Sequence, residues 1–199
     1  MIDIAKNKQT FLTICRNNIH RNGIEDLINW LEDTDFFNAP ASSRYHLDEI
    51  GGLCQHSLNV YHRFMEDIQQ IMFPNDDIPE NVLEQATILA LFHDFVKIDF
   101  YEESTRKVKD EYGTWISVPY FSINNRSELS GHGVKSARIV SKFLELSDEE
   151  FMAITYHMGF ASDEGRTNPN VINEVYNRSS LALLLNIADQ KATFIDERK

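Results

Sequence analysis

The sequence predicts an all-α fold that carries one small β-hairpin. Three observations predict it: apolar residues recur at helical spacing through most of the 199 residues, capping patterns precede several of these runs, and a single central segment has strand composition. With 42% hydrophobic and 25% charged residues, and no low-complexity or Pro/Gly-rich linker, the chain reads as one domain over residues 1–199. Within it, residues 1–35 supply helices that pack on a core spanning 36–195.

A first helix is expected from about Lys6 to Asn17. Asn22 has the character of an N-cap with Glu25 at the reciprocal position, opening a helix with Ile24, Leu27, Ile28 and Leu31 on one face. "NAPASSRYHLDEIGG" is a loop. From about Leu53 to Met72 a long helix carries Leu53, His56, Val60, Phe64 and Ile68 at helical spacing, and "FPNDDIPE" ends it. Pro79 then starts a helix that runs into "ILALFHDFVKIDF". Residues of about 103–121 form the hairpin, with Gly113 at its turn. Helical pattern resumes in "GHGVKSARIVSKFLEL". Ser147 and Glu150 make a capping box for "DEEFMAITYHM", which Gly159 closes, and a last helix runs from Ser179 to about Phe194 with an apolar centre.

The charge balance narrows the partners. Nineteen basic against 31 acidic residues give a formal charge of −12, which repels polyanions and excludes an extended nucleic-acid surface. The longest apolar run, "LALLLNIA", is far shorter than the roughly 20 residues of a membrane span, and "MIDIAKNKQTF" lacks the pattern of a signal peptide. A cytoplasmic protein without membrane contact is therefore expected. Cys15 and Cys54 are the two cysteines and form no CxxC pair, so any metal must be held by histidine and carboxylate.

One histidine on an apolar helix face is most simply a core residue. Six ligand-type residues in that position, His56, His93, Asp94, His132, His157 and Asp189, need a common explanation, because each is costly to bury without compensation. Divalent first-row metals provide one, since neutral imidazoles and carboxylates suit them. Adjacent residues on a helix differ by about 100°, so His93 and Asp94 can line one cavity, and the two oxygens of an aspartate can bridge two ions.

The motifs "GGLCQHS", "LFHDFVK", "SGHGVKSA", "ITYHMG" and "NIADQKA", in this order, resemble those of the HD-domain metal-dependent phosphohydrolases, in the subset with two extra histidines before the last aspartate. The resemblance covers roughly Phe36 to Thr193. It implies an HD helical bundle and a centre of two divalent ions, from Mn, Fe, Mg, Co or Ni. His56, His93, Asp94 and Asp189 would hold one metal, Asp94 would bridge, and His132 and His157 would complete the second. Val96 stands where the family usually has glycine.

The remaining polar residues are weighed one by one. Lys97 lies one turn from His93 and Asp94, where it either stabilises a helix end or places its ammonium on a phosphate oxygen; the expectation is a catalytic and substrate-binding role for Lys97 beside Asp94. Lys135 and Arg138 allow a weaker version of the same argument, and Lys135 is taken as substrate-binding. Arg126 lies in a loop leading to His132 and is a substrate-binding candidate, as is His46, which resembles the segment that covers the metal site in related HD proteins and is not read as a ligand. His20 and His62 fit no motif and are read as surface residues.

The expected reaction is hydrolysis of a phosphate mono- or diester of a small nucleotide-type substrate by a metal-activated water, with Asp94 and Lys97 in the chemistry. The alternatives are an exoribonuclease-like HD nuclease, a catalytically silent nucleotide-binding module, and oxygenase chemistry on a di-iron site. An exonuclease of this family would carry an additional OB domain, for which the chain has no room.

Overall fold

The structure is a computed structural model that describes residues 2–124 and 131–198. It is all-α apart from one two-stranded antiparallel hairpin. α1 (Ile4–Asn18) starts where the Asp3 side chain accepts from Lys6 N, 3.0 Å away, two residues before the predicted start. α2 (Ile24–Glu32) corrects the expected cap. Its N-cap is Gly23 at φ 96°, not Asn22, and a Cβ at residue 23 would lie 2.0 Å from Phe143 O, so close approach of the backbone at Phe143 decides that residue. Glu25 instead accepts from Arg16 of α1.

α3 (Gly52–Asp67) and α4 (Glu80–Phe92) pack on each other, and α9 (Ser180–Lys191) packs on α3. The long helices expected to reach Met72 and Phe194 both lose α-geometry before those residues. Each continues as a π turn, Ile68–Met72 after α3 and Ala192–Asp196 after α9. Pro79, expected as the first helical residue, is instead the N-cap of α4, which begins one position later. Every residue of α4 from Ala86 to Phe92 is buried, so this helix runs through the core rather than across its surface. Thr87 is accommodated because its hydroxyl donates to Leu83 O, 2.7 Å away. Phe11, Phe36, Phe92 and Phe95 stack around its end with ring centroids 4.8–6.2 Å apart.

β1 (Tyr101–Lys109) and β2 (Trp115–Ile123) pair from Tyr101↔Ile123 to Lys109↔Trp115, two residues longer at each end than the sequence suggests. Asp110 Oδ1 accepts from Tyr112 N and Thr114 N, and Gly113 at φ 77° completes the turn. α5 (His132–Val140) packs against α6 (Asp148–Thr155), whose capping box joins Ser147 and Glu150 as expected. Between α6 and α9 lie two helices that the sequence patterns do not announce, α7 (Asp163–Thr167) and α8 (Pro169–Arg178). Both are short, and α8 buries only Ile172 and Val175. Among the described residues no helix is long and apolar enough to cross a membrane.

Candidate metal centre

The buried helix α4 delivers the first two polar residues. It ends at Phe92; His93 is its C-cap and Asp94 opens a 3-10 turn, Phe95–Lys97. His93 and Asp94 are 0% and 3% exposed, in the middle of the molecule. The other four arrive from three directions: His56 from α3, Asp189 from α9, His132 and His157 from the start of α5 and the end of α6. Gly133 makes the last pair possible. A Cβ there would lie 2.0 Å from Thr155 O, so only glycine lets α5 approach α6 this closely.

Asp94 is the hub. Its Oδ2 lies 3.6 Å from His56 Nε2 and 3.6 Å from His93 Nε2, and its Oδ1 lies 2.7 Å from His132 Nε2 and 3.5 Å from His157 Nε2. One carboxylate thus faces two histidine pairs with two different oxygens. Asp189 Oδ1 is 3.3 Å from His56 Nε2, and ligand atoms of Asp189, His93 and His157 lie within 4.8 Å of one another. The imidazole rings form a chain from His46 through His56, His93 and His157 to His132, with successive centroids 4.9–5.4 Å apart.

The ring orientations are fixed from behind. His93 Nδ1 donates to Ala90 O at 2.8 Å and His157 Nδ1 donates to Ile154 O at 2.7 Å, each a carbonyl three residues back at a helix end. That places the proton on Nδ1 and the lone pair on Nε2. Among the described residues neither Nε2 has a hydrogen-bond partner, although both are buried. Two orphaned basic nitrogens beside the buried Asp94 and the partly buried Asp189 are unfavourable for a protein alone and fit a divalent cation.

His56 is oriented by a residue that sequence reasoning missed. Its Nδ1 donates to Glu197, with Oε1 at 3.0 Å and Oε2 at 3.1 Å, and Asn59 Nδ2 donates to the same Oε1 at 2.8 Å. Glu197 is 6% exposed and lies eight positions after Asp189, beyond any motif. A single buried glutamate near a chain end has no periodic signature; only the π turn after α9 brings it back to α3.

The electrostatics suit a site for positive charge. Burial opposes ionisation of Asp94, yet the Lys97 ammonium and the imidazoles hold its carboxyl well below the usual carboxylate range. Burial likewise opposes the charge on Asp189, which His56 nonetheless holds low. Burial pushes His93 down to about 4 and lowers His132. His56 goes the other way: burial opposes its protonation, but Asp189 and Glu197 raise it to about 10. A proton on His56 stands where a cation's charge would.

The other expected residues separate into groups. Lys97 Nζ is 2.6 Å from Asp94 Oδ2, and burial of the ammonium is outweighed by Asp94, which raises its pKa. His46 is 3.9 Å from Glu197 and lies behind His56; burial, with His56 and Lys97 nearby, lowers it to about 4. A cavity of about 420 Å³ opens over the cluster and is lined by His46, Asp94, Lys97, His132 and Asp189, among others. Lys135 is not among its lining residues, and Arg126 lies outside the described residues. His20 and His62 are exposed, as expected. A larger groove of about 900 Å³ between the N-terminus and the hairpin holds none of the six, so chemistry rather than size selects the site.

Comparison with protein families matches the HD domain over residues 53–192. No curated protein sequence and no solved structure matches the chain. The matched segment contains all six clustered residues and leaves His46 and Glu197 outside it. HD domains are mostly metal-dependent hydrolases, and some are catalytically inactive. With the match spanning well over half of its length, the chain belongs to the HD domain family.

Proposed function

We propose that the protein is a phosphohydrolase that acts on a phosphate mono- or diester of a nucleotide-type substrate at a centre of two divalent cations. His56, His93, Asp94 and Asp189 hold one cation, and Asp94, His132 and His157 hold the other. The observation that carries this reading is the split of Asp94, with Oδ2 toward His56 and His93 and Oδ1 toward His132 and His157. Such cations, when bound, supply Lewis-acid polarisation and a bound water that ionises near neutral pH.

The protein's own part is orientation and charge. Backbone carbonyls of Ala90 and Ile154 keep His93 and His157 in the ligating tautomer, and Glu197 does the same for His56. Lys97 keeps its ammonium charged at the cavity wall, where it meets a phosphate oxygen or the leaving oxygen. His46 lines the same cavity and faces substrate. Helices on several sides exclude bulk water from the histidine pairs, which strengthens each of these interactions.

One contact favours a second reading. Lys97 Nζ sits 2.6 Å from Asp94 Oδ2, a position that competes with a cation for that oxygen. In a silent binding module this lysine would replace a metal permanently. The deciding experiment is metal analysis of the purified protein together with phosphate release from a panel of nucleotides under Mn²⁺, Mg²⁺, Fe²⁺, Co²⁺ and Ni²⁺. About two metals per chain and turnover of a phosphate ester support the hydrolase; tight nucleotide binding without turnover under any metal supports the module.

A further inference from the structure

The cavity over the histidine cluster has a lining of two chemical kinds. Asp94, Lys97, His132 and Asp189 contribute ionisable groups to it, and Phe160 and Phe194 contribute two phenyl rings. Phe160 is 50% and Phe194 is 69% exposed. A single exposed aromatic needs no explanation, but two on the wall of one cavity that also carries ionic groups describe an amphipathic ligand.

Different elements place the two rings. Phe160 sits in the 3-10 turn Gly159–Ala161, and its ring meets Tyr176 of α8 edge-on, with centroids 6.1 Å apart at 86°. Phe194 sits in the π turn that extends α9. Such turns re-aim the side chains that follow a regular helix and recur at functional sites. This one is pinned just beyond Phe194, where Arg63 Nε donates to Asp196 at 2.8 Å and Asn59 and His56 donate to Glu197. Phe194 is therefore presented by anchored backbone.

Two side-chain amides line the cavity as well. Asn186 Nδ2 donates to His157 O at 2.7 Å, and Gln190 Nε2 donates to Asn186 Oδ1 at 2.8 Å. Among the described residues nothing donates to Gln190 Oε1. A polar acceptor in the same lining as two phenyl rings and ionic groups matches a ring that carries N–H donors on its edge.

Resting on the phosphohydrolase reading, we propose that Phe160 and Phe194 form the stacking platform for the nucleobase of a nucleoside phosphate, with its phosphate at Lys97 and the histidine cluster and its ring edge at Gln190 Oε1. Every base offers a π face to a phenyl ring. A sugar phosphate without a base leaves both rings in water, and a plain aryl ester leaves Gln190 unused. The volume of about 420 Å³ lies within the roughly 300–1,000 Å³ of ligand cavities.

The test compares AMP with ribose 5-phosphate, which share phosphate and sugar and differ in the base. Phosphate release by the Mn²⁺-loaded protein gives one ratio of kcat/KM, and calorimetric Kd values give a second that is independent of turnover. The parent is expected to favour AMP by tenfold or more in both. Each ratio should fall by about tenfold in Phe160→Ala and in Phe194→Ala and recover in Phe194→Tyr, the size expected for one stacked ring. Far-UV circular dichroism checks that the variants fold. Ratios near one in the parent, ratios unchanged in both Ala variants, absence of AMP binding, or a preference for p-nitrophenyl phosphate over AMP would each overturn the platform. The two readings fail separately: phenyl-dependent AMP binding without phosphate release removes the hydrolase alone, whereas equal release from AMP and ribose 5-phosphate removes the platform alone.

Discussion

Asp94 is the residue on which most of the site depends, because its two oxygens serve two histidine pairs. Asp94→Asn keeps the shape but replaces a charged oxygen with an amide nitrogen that cannot ligate. Metal content and phosphate release are both expected to collapse while the helical circular dichroism spectrum is kept. Retention of parental turnover would remove the shared-carboxylate arrangement. Lys97→Ala separates the two readings of the lysine: if it meets phosphate, metal content stays and turnover falls on the order of a hundredfold. If it instead occupies a cation's place, metal binding appears only once it is gone. Glu197 acts through His56 Nδ1, so Glu197→Ala should weaken the metal holding His56 by roughly 10–100-fold in chelator competition, the usual cost of losing an orienting partner.

At the scale of elements, the site is assembled by helix ends rather than helix faces. His93 and His157 both follow the last turn of a helix, and each Nδ1 donates to the backbone carbonyl three residues back. The start of α6 is held by a buried network: Glu150, fully buried, accepts from Arg21 at 2.6 and 2.7 Å and from Ser147 N at 2.7 Å. Glu150→Ala removes the closer of the two carboxylates that hold the partly exposed Arg21, leaving Glu84, and breaks the capping box. A loss of about 2–4 kcal/mol is expected in denaturant unfolding, against about 1 kcal/mol for Ser147→Ala. Because α6 carries His157, partial unfolding of α6 in the Glu150 variant should also lower metal content, whereas Ser147→Ala should leave it intact.

For the molecule as a whole, the buried histidines make the stability of the metal-free protein depend on pH in two opposing ways. His93 and His46 are held at about 4, below their ordinary value near 6.5, so the unfolded chain binds more protons and stability falls as pH drops from 6.5 toward 4. His56 is raised to about 10, so its contribution is complete below 6.5 and is lost as pH climbs from there to 10. The unfolding free energy of the metal-free protein, from urea titration, should therefore peak near pH 6.5 and decline above it, at up to about 1.4 kcal/mol per pH unit. His56→Gln should flatten the alkaline limb. An alkaline limb that is already flat in the parent would mean that His56 holds no extra proton.

Fold class, hairpin, Gly113 turn and the Ser147–Glu150 cap were legible in the sequence because each rests on local periodicity or on partners within a few residues. The six-residue constellation was legible too, since ionisable groups inside apolar helical runs contradict the solvent-facing pattern around them. Residues that depend on distant backbone were not. Gly23 replaces Asn22 as the cap because Phe143 O crowds it, and α8 hides because two buried residues make no period. The two π turns leave no pattern, and with them went Glu197 behind His56 and the placement of Phe194. Which oxygen of Asp94 faces which histidines was likewise a matter of tertiary structure, since it depends on how α3, α5 and α6 close around the end of α4, and helix-to-helix geometry is set by packing that no single segment encodes.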